Sequence, residues 1–141
     1  MPRLGRILRL AADSRGVAAI EFALIGPLFV AMLAALVVYG GWFWLAQSVQ
    51  SLASESARAA VAGLDGEERG RLARDYIDSE SRHMAGLDSD RVAVTVESDA
   101  RAIRVRITYD AHDHPILMLA RLIPSPPPVI ERSAVIRTGG Y

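Results

Sequence analysis

Hydrophobic and polar positions follow different rules in different parts of this chain. No charged residue occurs between Glu21 and Glu55, and Phe22 to Ala46 reads FALIGPLFVAMLAALVVYGGWFWLA. That run is about 25 residues long, against the roughly 20 a helix needs to cross a hydrocarbon core of ~30 Å. A buried core helix as apolar on every side would need a far larger protein to cover it. The pattern therefore predicts a membrane-spanning helix. From Gln47 to Ala62 the chain turns to Ala, Ser and Gln, and the helix is expected to continue as an amphipathic rod until Gly63. A helix from Val17 to Ala62 would be about 70 Å long.

Beyond Gly63 the period changes. Asp65 followed by Glu68 has the spacing of a capping box and predicts a second helix over about 66–85, with Leu72, Ala73, Tyr76, Ile77 and Met84 on one face and Gly86 ending it. Val92, Val94 and Val96, then Ile103, Val105, Ile107 and Tyr109, alternate with polar or small neighbours. Two strands joined by a turn at Asp99-Ala100 follow from that period of two, with Arg104, Arg106 and Thr108 on a wet face. Val129 to Thr138 is a third strand, entered through the stiff Pro124–Pro128 connection. Pro115 to Leu122 reads as a short apolar crossover of helical character. The expected fold class is α+β: a long N-terminal transmembrane helix, a second helix, then a small antiparallel β-sheet.

Charge settles orientation. The formal net charge is zero, with 16 basic and 16 acidic residues, and every basic residue is Arg. We read the lack of Lys as the habit of an Arg-rich bacterial proteome. The Arg residues form no patch of the kind that binds nucleic acid. Arg3, Arg6, Arg9 and Arg15 precede the apolar run, and the next Arg after it is Arg58. This asymmetry places the N-terminus in the cytoplasm and the C-terminal part outside, periplasmic or extracellular, so that the lipid bilayer is itself a partner. A cleaved secretory signal fits poorly, because the run exceeds an h-region of 7–15 residues and no small-residue cleavage site closes it. Tyr39, Trp42 and Trp44 mark the outer headgroup level. The chain divides into a leader (1–16), a transmembrane and protruding helix (17–62) and an extracytoplasmic α+β domain (63–141).

Glu21 is the odd residue. A carboxylate deep in a membrane helix costs roughly 2.5–3.5 kcal/mol on insertion scales, so it calls for a shallow position or a positive partner. Its surroundings read Ser14-Arg15-Gly16-Val17-Ala18-Ala19-Ile20-Glu21-Phe22: a basic leader ending in Gly, four small or apolar residues, then Glu-Phe opening the span. This string resembles a type IV prepilin-class processing site. RGVAAIEFALIGPLF, with a Pro six residues after the Glu, narrows the likeness to the TadE-like pseudopilin family of tight-adherence (Flp) pili. The likeness covers residues 15 to about 60, including SLASESARAAVAG; downstream it is architectural, toward a pilin-like head.

The resemblance implies cleavage between Gly16 and Val17 by a prepilin peptidase on the cytoplasmic side. It also implies that Glu21 faces the freed α-amine during assembly with other pilins, beside Phe22. Pro27 would then soften the helix near Gly26, although prolines are common in membrane helices without such a role. The inner membrane and the Flp pilus machinery are the implied location and partners. An uncleaved, signal-anchored periplasmic scaffold or binding protein has the same topology and stays open at this point.

Chemistry of other kinds finds little footing. No Cys is present, which excludes disulfides, thiolate catalysis and Cys-ligated zinc. His112 and His114 offer two imidazoles without further ligands at zinc spacing, and Asp88-Ser89-Asp90 reads as a turn. With no nucleophile motif and no phosphate loop, the sequence argues against an enzyme, and no metal or cofactor is expected.

Overall fold

The computed structural model describes residues 14–99 and 101–138, with side chains from residue 16 onward. Leader residues Arg3, Arg6 and Arg9 and the turn residue Ala100 lie outside the described residues. The elements are α1 (Ser14–Ala60), α2 (Gly66–Ser81), β1 (Val92–Ser98), β2 (Ala102–Asp110) and β3 (Val129–Arg137), with 3-10 turns at Ser89–Arg91 and Pro115–Leu122. The arrangement is α+β, as the periodicities require.

α1 is one unbroken helix with two environments. Only 11% of its most apolar stretch, of mean hydropathy 2.4, is covered by the rest of the chain. It is the one helix among the described residues long and apolar enough to cross a membrane. Further along, Val38, Leu45, Val49, Leu52, Ser56 and Ala60 are fully buried. Their spacing of three, four or seven residues is the core-facing stripe of an α-helix. Ala46, Ala53 and Ala57 widen that stripe with small side chains. Against them α2 presents Gly70, Ala73, Ile77 and Ser81, all buried, and short side chains on both helices let the axes approach closely.

α2 starts where the capping residues predict, with a shifted reciprocal bond. The Asp65 carboxylate accepts from the Glu68 N–H at 2.8 Å, and Glu68 reaches back to the Leu64 N–H at 2.8 Å, one residue before Asp65. The helix ends at Ser81, earlier than the expected 85, because the chain turns through 82–86 and Gly86 takes φ +80°. Met84 leaves the helix yet still packs on the core.

The sheet is an antiparallel meander of order β1-β2-β3, pairing Val96 with Val105, Val94 with Ile107 and Ile103 with Ile136. Ile103, Val105, Ile107, Tyr109 and Ile130 bury one face against the helices, and the other stays wet. There Glu97–Arg104 (3.9 Å) and Arg106–Glu131 (3.5 Å) form exposed ion pairs that add little stability. Asp99 closes the β1–β2 turn by accepting from the N–H groups of Arg101 (2.7 Å) and Ala102 (2.8 Å). Those two donors hold its carboxyl below the usual carboxylate range. Residues 63–138 thus form a small head built around the second half of α1.

Candidate functional site

Gly16, Val17, Glu21, Phe22 and Pro27 all sit on the first part of α1, and all are exposed. Helical geometry puts Val17 and Glu21 one turn apart on the same face. A side chain at Gly16 would meet nothing within 4 Å. Among the described side chains, from residue 16 onward, no basic group pairs with Glu21. The Phe22 ring lies over Gly26, where an added Cβ would stand 3.8 Å from it. Pro27 donates no hydrogen bond, yet α1 continues through it, as membrane helices allow by local adjustment. Phe22, Gly26, Pro27 and Val30 line an open apolar groove along the helix, which Leu122 of the head joins.

At the end of the apolar run nearest the head, the aromatic residues make specific contacts. Tyr39 Oη donates to the Pro124 carbonyl at 3.1 Å, and Trp42 Nε1 donates to the Pro127 carbonyl at 2.8 Å. Proline carbonyls in an extended connection lack strand partners, and these two side chains satisfy a pair of them. Trp44 lies against Gly86, whose Cβ would come within 2.6 Å of the indole. Tyr39, Trp42 and Trp44 therefore clamp the head to the helix where it emerges.

The His112-Asp113-His114 loop is occupied by turn chemistry. His114 Nδ1 accepts from the Ile116 N–H at 3.3 Å, which leaves Nε2 to donate to the Gly86 carbonyl at 3.0 Å. Asp110 accepts from the His112 backbone N–H and contacts its imidazole at 2.6 Å, and these contacts hold the Asp110 carboxyl below its ordinary range. Arg91 bridges Asp88 (3.3 Å) and Asp113 (3.1 Å). Among the described residues no three His, Cys, Asp or Glu side chains gather to hold a metal ion.

With this geometry in place, the comparison with known families bears on the helix alone. Residues 16–58 match the family model of TadE-like proteins. The match begins at Gly16 and ends two residues before α1 does, so the TadE-like segment is the helix and leaves out the head. No curated protein and no solved structure matches the chain. A TadE-like helix carrying an apolar exposed stretch is compatible with a single-pass anchored component of a Tad pilus system. The exposed Met118, Leu119 and Leu122 beside that helix escaped the sequence reading. The available signal was PILMLARL, too apolar for an ordinary surface crossover.

Proposed function

We propose that this chain is a minor pseudopilin, a membrane-anchored structural component of Flp (tight-adherence) pilus biogenesis, cut by a prepilin peptidase after Gly16. In this reading it sits in a bacterial inner membrane with its N-terminus cytoplasmic and its head outside. The observation that carries the proposal is the placement of Glu21. It is exposed, one helical turn beyond Val17, at the mouth of a TadE-like apolar helix.

Cleavage would free an α-amine at Val17, which is protonated at neutral pH. An unpaired charge at the edge of hydrocarbon is costly, so amine and carboxylate each favour the other, within one chain or across two. Phe22 and the groove beside Pro27 add an apolar surface on which a neighbouring pilin helix packs. Pro27 removes a backbone hydrogen bond and lowers the resistance of this stretch to bending.

Intact-mass measurement tests the reading. Protein made in a host with its own prepilin peptidase should begin at Val17, and Gly16→Ile should leave a membrane-inserted, uncut precursor. In the same strain Glu21→Gln should still be cut and folded but recover several-fold less of its pilin partners on co-purification. Retention of Met1 in that host would instead identify an uncleaved signal-anchored scaffold.

A further inference from the structure

The head reaches back down α1. Glu21 is the last charged residue before the apolar run, so ~30 Å of hydrocarbon, roughly 20 residues at 1.5 Å each, extends from about Phe22 to about Gly41. A lower placement would draw Glu21 and Arg15 into the core. The Pro115–Leu122 segment enters at the upper edge of this zone: Ile116 lies so close to Gly41 that a Cβ there would stand 2.6 Å from it. Leu122, at the other end, lies against the groove of the Phe22–Ala31 stretch. The chain then climbs back, with Pro124 bonded to Tyr39 and Pro127 bonded to Trp42. Measured along α1 from Gly41 to Ala31, the excursion is on the order of 15 Å.

We propose that Pro115–Leu122 is a second membrane-contacting element, a re-entrant segment whose Met118, Leu119 and Leu122 lie among the acyl chains of the leaflet on the head's side. These side chains are 69%, 43% and 58% exposed, and Leu122 joins the exposed apolar groove of α1. The backbone suits the setting. Its 3-10 bonds, Leu117 N–H to His114 O at 2.9 Å and Ile123 N–H to Ala120 O at 3.4 Å, satisfy donors internally. Arg121 is the segment's only charge, and it lines a depression shared with Met118 and with His112 and Asp113, the last two preceding the descent. Its aliphatic stem can therefore lie in the apolar layer while the guanidinium rises to the headgroups. The inference rests on α1 crossing the bilayer and is independent of processing.

The absence of cysteine makes the test direct. Met118→Cys and Leu119→Cys in the full chain are labelled with an environment-sensitive fluorophore and placed in phosphatidylethanolamine–phosphatidylglycerol vesicles. Leu28→Cys reports the span, and Ser133→Cys reports the wet face of the sheet. The labels at 118 and 119 should emit to the blue of the label at 133 and lose most of their intensity to lipids spin-labelled near the headgroup. The label at 28 should respond to lipids spin-labelled near the chain end. Iodide quenching at 118 and 119 equal to that at 133, with 28 in lipid, overturns the segment's insertion alone. Water exposure at 28 as well overturns the spanning helix and the segment together. Shielding at 118 and 119 that lipid labels do not reach, and that grows with the protein-to-lipid ratio, assigns the surface to a second copy and also overturns the inference.

Discussion

Single residues decide how tightly the head seats on its helix. Gly86 combines a left-handed φ of +80° with a Trp44 ring 2.6 Å from the position of a Cβ. A side chain there meets backbone strain and an aromatic wall together. Gly86→Ala should lower head stability by about 1–3 kcal/mol, read as a drop in unfolding midpoint by near-UV circular dichroism in detergent. An unchanged midpoint would mean that the turn relaxes without cost. At this scale the sequence was partly legible. Asp65 announced its cap through residue type and spacing alone, whereas Gly86 read as a helix terminator, because its partner Trp44 stands far away in sequence and leaves no local trace.

Among the elements, the strands were the most readable, since one wet face and one buried face impose a strict alternation of side chains. Arg104 and Arg106 between Ile103, Val105 and Ile107 leave little freedom of register. The Pro124–Pro128 connection was legible as extended but silent about two of its anchors, because Tyr39 and Trp42 reach it from a helix distant in sequence. Trp42→Phe removes the donor to the Pro127 carbonyl and keeps most of the packing. The expected loss is about 1 kcal/mol, and the sharper signature is local: faster hydrogen exchange across 116–123 with β1 and β2 unchanged. Exchange that rises uniformly would show that the clamp holds the whole head. For the Pro115–Leu122 segment, apolar composition was visible, but too few residues stood there to separate a crossover from a membrane contact.

For the whole molecule, the apolar span was legible because length and lack of charge suffice to recognise it. The face that α1 offers to the head was not, since Ala and Ser at 46–60 show a helix without showing what covers it. Orientation is the remaining large-scale reading, and it follows from the Arg bias before the span. A reporter active only outside the cytoplasm, fused after Tyr141, should be active. Activity of a cytoplasm-only reporter at the same point would reverse the topology and remove the pilus assignment with it.

The unbroken run of α1 from the exposed span into the centre of the head has a mechanical meaning. Leu45, Val49 and Leu52 belong to the same rod as Val17 and Leu28, with no loop between them to act as a swivel. Beyond the softened turn at Pro27, anchor and head are thus one lever: a pull or twist applied above that proline is carried by continuous helix into the hydrophobic core, and the head must translate and rotate with its anchor or lose the strut around which it is folded.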